Sequence, residues 1–330
     1  MRDRERGFSL IELLVAMVAT LIITGAVFQL VTAGNSAFRR EPAMADRQQN
    51  IRVGLDLISQ DVFKAGYGIP QFAQVFTDAL NGVGPMGSGG ENTDILELFR
   101  SLECPHLTVC PVAGNAGKSV TTREAFSACY QFPALVIVAD QCTWGMRWAD
   151  KDLGAGHCDG APPGASEGGH VAFAPGQAPV VNPTGGFGTF APEYMLVGEA
   201  VRYRINLDAD GVPNLERSAT GGLLDLDGNS TWQIIARGIE DLQVQYENAD
   251  GWQDRPGVIA SPVACDSPTE AEVKTLIRRV RVRLSARVTE SGQFAGESTS
   301  AVGTAARGQL VSEVAPRAAA STLAMVNGEL

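Results

Sequence analysis

A long apolar run near the amino terminus is the strongest pattern in this sequence. Residues 8–31 read FSLIELLVAMVATLIITGAVFQLV. At about 1.5 Å per helical residue, this run is long enough to cross a hydrocarbon core about 30 Å thick. Because Arg2, Arg4 and Arg6 precede it, we expect the leader to stay in the cytoplasm and the bulk of the chain to cross the membrane. We interpret the run as a retained anchor rather than a buried core helix or a cleaved secretory signal, whose apolar core is shorter.

The pattern after residue 38 predicts that the helix continues beyond the membrane. Charged residues become frequent there, and apolar residues recur along one helical face, at Met44, Ile51, Leu55, Ile58 and Val62. One helix over 8–65 would carry both halves, with Pro42 and Gly25 as the expected places for a bend. The sequence AGYGIP at 65–70 is expected to end this helix, because it holds two glycines and a proline.

Alternating apolar and polar residues predict that strands follow the helix. The predicted strands lie in the segments DILELFR, ALVIVAD, GIEDLQVQYE and LIRRVRVRLSARV, and in a hairpin, EAVRYRINLDADGVPNLERS, that turns at DADG. A helix through Val273, Ile277 and Val280 is an alternative for the start of the fourth segment. The chain is therefore predicted to be an α+β protein, in which a long N-terminal helix packs on an antiparallel β-sheet head.

Glycine and proline divide the predicted head, residues 66–330. Residues 154–192 hold ten glycines and six prolines, a density that predicts a long surface loop without regular elements. A second glycine-rich turn lies at 81–90. We expect a loop-rich insertion over about 101–192. Its long loop is either a surface that meets a partner or a tolerated decoration.

The net charge argues against one class of partner. The chain of 330 residues has a formal net charge of −11, and removal of residues 1–7, which hold three arginines and two acids, would leave −12. Residues 8–65 hold five basic and five acidic residues, so the excess acid lies in the head. A general nucleic-acid surface would be basic. Nucleic acid is therefore not an expected partner, although a local basic stripe stays open.

All six cysteines lie in the predicted head, at Cys104, Cys110, Cys129, Cys142, Cys158 and Cys265. An even number in an exported domain predicts disulfides, whereas a metal site would favour paired C-x-x-C spacing, which the sequence lacks. Six cysteines allow 15 pairings. We expect Cys104 to pair with Cys110 around the short loop PHLTV, and Cys158 to tie down the loop at 154–192.

Enzymatic chemistry has little support in the sequence. The three histidines, His106, His157 and His170, lie in loop-like sequence, and no H-E-x-x-H, G-x-S-x-G or phosphate-binding glycine loop is present. His157 stands beside Cys158 and Asp159, but a disulfide cysteine with chance neighbours explains this better than a metal site. DADG and DLDGN have the D-x-D spacing of calcium loops without the closing glutamate, so tight turns are favoured. We predict no catalytic residue, metal, cofactor or small-molecule substrate.

One carboxylate, Glu12, stands inside the apolar run. An acid at the centre of a membrane helix costs about 2.5 to 3.5 kcal/mol, and a position one turn into the span costs less. A bare anchor has no use for this acid. The surrounding stretch GFSLIELLVAM, which starts at Gly7 and Phe8 and includes Glu12, resembles the class III signal of type IV prepilins and type II secretion pseudopilins.

This resemblance implies a processing route and a role for the acid. A prepilin peptidase would cleave between Gly7 and Phe8 at the cytoplasmic face of the membrane, and the new Phe8 amine would be methylated. Glu12 would become the fifth mature residue, and in that family the acid pairs with the N-terminal amine of a neighbouring subunit. A carboxylate and an ammonium, each costly alone in lipid, offset one another when a second helix docks.

A looser resemblance suggests the subfamily. The order of YRI, an L-x-R strand, ARGIEDLQVQY and VRVRL resembles PilW-type minor pilins and J-type pseudopilins. It implies a structural subunit that helps initiate or cap a type IV pilus. A minor pseudopilin of a type II secretion system, and a minor pilin that acts in adhesion or DNA uptake, are the alternatives. The implied partners are other pilins or pseudopilins and the prepilin peptidase. The implied location is the bacterial inner membrane, single-pass, with the head in the periplasm, or the pilus tip or cell surface.

Overall fold

One long helix leads into a head of antiparallel strands in the computed structural model of the chain. The structure describes residues 9–70, 75–76, 92–110, 118–141, 143–156, 158, 168–175, 177–181, 183, 186–188, 190–257, 269–287 and 307–317. The elements are α1 (Leu10–Lys64), β1 (Leu96–Ser101), β2 (Leu107–Thr108), β3 (Ser119–Thr121), β4 (Ala134–Ala139), β5 (Trp144–Gly156), β6 (Gly168–Phe173), β7 (Tyr194–Leu207), β8 (Pro213–Ser218), β9 (Gln233–Arg237), β10 (Ile239–Asn248), β11 (Gly251–Gln253), α2 (Glu270–Thr275), β12 (Arg279–Arg287) and β13 (Arg307–Val314).

Helix α1 holds 55 residues, a length of about 80 Å at 1.5 Å per residue. Ala65 caps it in an extended conformation, with φ −58° and ψ 137°. Gly66 and Gly68 follow at φ 77° and 72°, a left-handed region in which glycine is the residue that fits without strain. The predicted end at AGYGIP is confirmed, because these two glycines turn the chain away from the helix axis.

The strands form two antiparallel sheets. Sheet 1 runs in the order β3-β6-β5-β4-β7-β8-β9, with β1 and β2 also paired to β7, and sheet 2 runs in the order β11-β10-β12-β13. Helix α1 packs against β12 and β13 of sheet 2 and against β9 of sheet 1. The predicted α+β architecture is confirmed: a long N-terminal helix lies on an antiparallel β-sheet head.

Strand β7 joins the two halves of sheet 1. Along its first half it pairs with β4 and β2, and along its second half with β1 and β8. Gly198 lies between the two halves, where an added Cβ would come within 2.6 Å of Ile137 and 2.9 Å of Met146. The strand therefore needs a residue without a side chain at this point, where side chains of β4 and β5 fill the space.

Sheet 2 shows the predicted alternation. On β12, Val280, Val282 and Leu284 are buried while the arginines between them point to the other face. Of the two alternatives for this segment, a short helix is present as α2, which ends at Thr275, and Val280 belongs to the strand. The predicted hairpin at DADG is confirmed as the connection between β7 and β8.

The main core lies between α1 and the two sheets. It is apolar and is formed by elements far apart in sequence. Helix α1 contributes one buried face, and each strand contributes every second residue. Its largest fully buried side chains are those of Ile51, Ile58, Leu96, Leu98, Tyr203, Leu215, Ile239, Leu242 and Leu284. Further apolar clusters cover both faces of the β4 and β5 part of sheet 1. The head thus has two halves. The helix-side half contains the strands that line the main core, and the insertion half contains β2–β6 with the first half of β7.

The glycine-rich segment at 154–192 contains a strand that the sequence did not predict. Strand β6 pairs with both β3 and β5, so the expectation of a segment without regular elements is wrong here. A Cβ on Gly168 would lie 1.7 Å from the Thr122 carbonyl oxygen, and one on Gly169 would lie 2.6 Å from the Phe126 ring. These glycines allow close packing in the sheet, which glycine composition alone does not distinguish from a loop. The glycine-rich turn at 81–90 lies outside the described residues.

Two disulfides close the insertion half. They join Cys104 to Cys129 and Cys110 to Cys158, with Cα atoms 5.9 and 5.4 Å apart. The predicted pair of Cys104 with Cys110 is therefore wrong, because partners separated by 25 and 48 residues are brought together by the sheet. The expected bond at Cys158 is present and ties the glycine-rich segment to Cys110, two residues after β2. Cys142 and Cys265 lie outside the described residues.

These pairings predict the result of peptide mapping. Digestion of the oxidised protein without reductant should yield Cys104 linked to Cys129 and Cys110 linked to Cys158. Cys110→Ser should lower the free energy of unfolding by about 2 to 4 kcal/mol, because a long loop is no longer closed. In that variant the Cys104 to Cys129 link serves as the internal control. A peptide that links Cys104 to Cys110 in the wild-type chain would contradict the fold of the insertion half.

Candidate functional site

The first half of α1 has no protein around it. Residues Leu10–Asn35 form the one described helix segment that is long and apolar enough to cross a membrane, and its apolar window is not buried against the head. Large side chains such as Leu10, Phe28 and Leu30 are 74 to 83% exposed. In water such a continuous apolar surface is strongly unfavourable. The segment fits a single-pass membrane anchor.

Two threonine hydroxyls on this segment are bound to its own backbone. The Thr20 hydroxyl donates to the Ala16 carbonyl oxygen, and the Thr32 hydroxyl donates to the Phe28 carbonyl oxygen, each at 2.7 Å. In hydrocarbon an unsatisfied hydroxyl costs several kcal/mol, so these bonds make both threonines compatible with lipid. The charged side chain that remains in the segment is that of Glu12.

Glu12 lies in the first turn of α1. Its carboxylate accepts a hydrogen bond from the Ser9 backbone N–H at 3.2 Å. A carboxylate is stabilised at this end of a helix, because the first N–H groups have no helical acceptor and carry partial positive charge. Gly7 and Phe8, the predicted cleavage residues, lie outside the described residues. Glu12 stands within one turn of Phe8 in sequence, at the amino end of the apolar half.

A second charged centre fixes the other half of α1 to the head. Asp61 is 3% exposed and lies on the helix face that meets sheet 1. Its Oδ1 accepts a hydrogen bond from Arg100 at 2.8 Å, and its Oδ2 accepts bonds from Arg217 Nε at 2.8 Å and the Tyr203 hydroxyl at 2.5 Å. One helix carboxylate thus binds side chains from β1, β7 and β8.

Glu199 completes this network. It pairs with Arg100 in the register of β1 and β7, and its Oε2 accepts bonds from Arg100 Nε at 2.9 Å and Nη2 at 2.6 Å. Arg217 lies 3.8 Å from the same oxygen. The two carboxylates and two guanidinium groups, all mostly buried, balance in charge. A buried ion network is tolerated when each charge has a partner and the remaining donors are satisfied.

The pKa values of Tyr203 and Arg217 in this network are both raised. Burial raises the pKa of the Tyr203 hydroxyl, and the charge of Asp61 and the hydrogen bond to it raise this pKa further. Burial lowers the pKa of Arg217, but the hydrogen bond and charge of Asp61 outweigh it and the pKa is raised overall. Tyr203 therefore stays a neutral donor and Arg217 a cation at physiological pH. The arrangement is suited to fixing α1 in place, since neither group releases a proton.

The other candidate residues give no catalytic or metal centre in the described part of the chain. Cys104, Cys110, Cys129 and Cys158 are bound in disulfides. His106 immediately precedes β2, His170 lies on β6, and His157 is outside the described residues. The described residues hold no group of three or more His, Cys, Asp or Glu arranged to bind a metal ion.

The two acidic turns are tight turns, as predicted. Asp208 Oδ1 accepts bonds from the backbone N–H groups of Asp210 and Val212, at 3.0 and 2.8 Å. Asp225 Oδ1 accepts a bond from the Asn229 backbone N–H at 2.7 Å. These bonds lower the pKa of both carboxyls, the backbone bond from Val212 or Asn229 being the largest cause. The carboxylates therefore hold the turns together.

Sequence reasoning did not single out the Asp61 network. The available signal was that Asp61 stands between Ile58 and Val62, two residues of the predicted buried face. An acid at that position needs a buried cation. Its partners could not be named, because Arg100, Tyr203 and Arg217 lie 39, 142 and 156 residues away.

Comparison with known proteins bears on the amino-terminal segment. Residues 2–28 match a family model described as the prokaryotic N-terminal methylation motif. The matched region contains Gly7, Phe8 and Glu12, and it shows that this chain carries a prokaryotic N-terminal methylation motif. It covers a small part of the chain, and no curated protein matches significantly.

One solved structure is similar over most of the chain. A type IV-like pilin from Thermus thermophilus aligns with 82% of this chain and 96% of its own, at 12% sequence identity and a TM-score of 0.29.

Loss of the Asp61 carboxylate should weaken the attachment of α1 to the head. Asp61→Ala leaves Arg100, Arg217 and the Tyr203 hydroxyl buried without this acceptor, and breaking one side of a buried ion pair costs about 3 to 5 kcal/mol. We expect a matching fall in the free energy of unfolding, measured by urea titration of the full chain in detergent micelles. The control is Asp56→Ala, because Asp56 is exposed on the same helix and bonds to Gln60. Equal unfolding midpoints for the two variants would show that the network does not hold the helix.

Proposed function

We propose that this type IV pilin-like chain is a minor pilin, a non-enzymatic structural subunit that helps initiate or cap a type IV pilus. The observation that carries the proposal is the methylation motif at residues 2–28, which leads directly into a helix whose first half is unburied and whose second half is fixed to a head. A helix built this way can pass from lipid into a bundle of like helices. The head is carried with the helix, because the second half of α1 is fixed to it.

The architecture supports a structural role. Its buried charges, Asp61, Glu199, Arg100 and Arg217, satisfy one another, and they join elements of the fold. Each of these charges is paired with an opposite charge inside the fold. The centre therefore stabilises the subunit and gives no support to a reaction.

The size of the head supports a minor position in the filament. Strands β3, β5 and β6 extend sheet 1 beyond β4, on the side away from β8 and β9, and two disulfides brace that extension. A repeating shaft stacks heads closely, and a head with such an extension crowds its neighbours. A subunit at the tip has neighbours on one side only, so the extension is accommodated there.

The proposed route begins with processing of the leader, residues 1–7. A prepilin peptidase at the cytoplasmic face would cleave before Phe8, and the new amine would be methylated. The segment that starts at Phe8 would stay in the inner membrane with the head in the periplasm, an oxidising compartment that suits the two disulfides. Other pilins would be the partners of the unburied half of α1.

Glu12 would act in recruitment. Its single hydrogen bond to the Ser9 N–H leaves lone pairs free among the described contacts of this side chain, since a carboxylate offers about four acceptor sites. The methylated amine of Phe8 on a neighbouring helix is a cation of the right size at the right depth. Pairing the two removes a charge penalty that each subunit carries alone in lipid.

Intact-mass measurement tests the processing step. In a host with a prepilin peptidase, the mature chain should begin at N-methylated Phe8, and Gly7→Val should retain the leader because the added side chain blocks the peptidase. Gly25→Val is the control, because an added Cβ at Gly25 meets no atom within 4 Å and the residue lies far from the junction. A mature chain that keeps residues 1–7, or that begins after residue 31, would overturn the assignment.

Glu12→Ala tests recruitment separately from processing. We expect normal cleavage and slightly easier membrane insertion, since the variant removes a carboxylate from the apolar run. Co-purification with other pilin subunits should fall strongly, because the partner's ammonium loses its counter-charge. Glu12→Gln keeps the size and one hydrogen-bond acceptor, and it should also fail if charge is the cause.

The outcome of this experiment also separates neighbouring proposals. Wild-type co-purification of a processed Glu12→Ala chain would show that the pairing role is wrong for this subunit. Recovery by Glu12→Gln alone would assign the effect to packing. Co-purification with the subunits of a type II secretion filament, in place of a pilus, would make the chain a minor pseudopilin with the same mechanism.

A further inference from the structure

A pocket lies beside the carboxyl-terminal end of α1. It has a volume of about 960 Å³, within the range of sites that hold small organic ligands. Its described walls come from the segment that follows α1, from the end of β1 and the residues after it, from the loop after β4 and from the start of β7. Parts of the chain that are far apart in sequence therefore enclose one concave site.

The segment after α1 forms a fixed wall of this pocket. The Gly66 N–H donates to the Phe99 carbonyl oxygen at 2.9 Å, and the Ser101 N–H donates to the Tyr67 carbonyl oxygen at 2.8 Å. Gly68 fits tightly against the strand, since an added Cβ would come within 2.3 Å of Ser101 Oγ. These contacts hold the segment against β1, so the pocket is formed before any ligand arrives.

Rings and aliphatic side chains supply the apolar part of the lining. The lining includes Tyr67, Pro70, Tyr194 and Leu196, and Tyr67 is 38% exposed. An aromatic ring has a negative face, which attracts the weakly positive hydrogens of C–H groups. This part of the pocket therefore suits a ligand with a face rich in C–H groups.

The polar part of the lining is left without partners inside the described chain. Ser101 is 4% exposed, and its Oγ has no hydrogen-bond partner among the described residues. The side chains of Glu103, His106 and Gln141 are exposed, and the structure shows no hydrogen bond or ion pair from them to described residues. Between them these groups offer both donors and acceptors. A ligand that carries several hydroxyl groups can use both kinds.

The charges around the pocket disfavour an anion. No lysine or arginine is among the described lining residues, and Glu103 adds a carboxylate. Burial, with the nearby charges of Asp140 and Glu193 as smaller causes, raises the pKa of Tyr194 to about 12, so its hydroxyl stays a neutral donor. A phosphate or an acidic sugar would be repelled by these carboxylates.

Cationic and purely apolar ligands also fit less well. Arg317 already places its guanidinium carbon 5.5 Å from the centroid of the Tyr67 ring, so this ring has a cation beside it. An apolar ligand such as a fatty acyl chain would cover Ser101 and Tyr194 and leave their hydroxyls without partners. The remaining class is a neutral ligand that combines hydroxyl groups with an apolar face.

An extended peptide lacks a strand edge to bind here. At Tyr194, β7 is paired on both sides, with Thr108 of β2 and Ala139 of β4. The outer edge of β1 is used as well, because the Phe99 N–H donates to the Val75 carbonyl oxygen at 3.0 Å. The described strands that line the pocket therefore present no free edge for strand addition.

We propose that this pocket binds a neutral saccharide, an inference that adds a ligand to the proposed function and rests on it only for the setting outside the cell. The C–H face of a sugar ring would lie against Tyr67. Neighbouring hydroxyls of the sugar would bond to Glu103 and Gln141, whose planar end groups each offer two polar atoms. The pocket would thus recognise both faces of the chemistry that a saccharide presents.

The position of the pocket along α1 fits a ligand outside the cell. At 1.5 Å per residue, Lys64 lies about 44 Å along the helix from Asn35, the end of the membrane segment. The pocket is therefore at the end of α1 opposite the membrane. A subunit at the tip of a pilus would meet carbohydrate at that end.

A saccharide array tests the proposal. The full-length chain, held in phospholipid nanodiscs because a sugar-based detergent would itself compete, is applied to immobilised neutral and acidic oligosaccharides. We expect binding to neutral members, and binding at least about tenfold weaker to the same oligosaccharide with a terminal sialic acid, since the added carboxylate is repelled. For the best neutral member, Tyr67→Ala should weaken affinity at least about tenfold and Gln141→Ala about fivefold.

The matched control is Gln233→Ala, which removes an exposed amide on β9 and should leave the affinity unchanged. Equal melting midpoints and an intact link between Cys104 and Cys129 show that each variant is folded. The proposal is overturned if no neutral oligosaccharide binds, if the Tyr67 and Gln141 variants bind as the wild-type chain does, or if a sialylated oligosaccharide or an oligoproline peptide binds more tightly. The purified chain is measured without other pilins, so these outcomes reject the pocket alone, whereas failed leader cleavage and co-purification reject the proposed function.

Discussion

The burial of Asp61 is the constraint on which the arrangement of helix and head depends. Its carboxylate lies buried between α1 and sheet 1 and binds side chains from three strands, so α1 cannot slide or rotate without leaving charges unpaired. Apolar packing sets how strongly the helix is held, since Ile51, Ile58 and Val62 are all buried, but apolar contacts tolerate small shifts. The ion network also fixes the orientation of the helix, because hydrogen bonds to a buried carboxylate are satisfied in one geometry only.

Strand β7 transmits this arrangement to the insertion half. Glu199, which binds Arg100 of the network, follows Gly198, which lets β4 and β5 pack closely against the same strand. A single rigid strand therefore contacts the helix-side core with its second half and the disulfide-braced half with its first. The orientation of the extension relative to the membrane helix is thus set within one strand, which is what a subunit needs if its head meets neighbours at a fixed angle.

Local patterns were enough to predict the elements whose determinants are close in sequence. Helix α1, its glycine-rich end, the alternation of β12 and the turn between β7 and β8 each follow from spacing within a few residues. The features that failed depend on contacts across the fold. The strand at 168–173 uses glycine for close packing with Thr122 and Phe126, the cysteines pair over 25 and 48 residues, and the Asp61 network gathers partners from three strands. Single-sequence patterns carry no information about such pairings.

Asp61 and Glu12, two carboxylates of α1, differ in how far their charges are satisfied within the chain. Asp61 is satisfied by two guanidinium groups and a phenol within its own chain, so it needs nothing from outside. Glu12 has one neutral backbone donor among its described contacts, on a segment that is otherwise suited to lipid, where an undersatisfied charge is costly. An isolated subunit therefore carries an unrelieved penalty at its amino end and none at its head junction. Under the proposed function, association through the amino-terminal half of α1 would relieve this penalty, and filament assembly would then be favourable at the membrane, where the penalty exists.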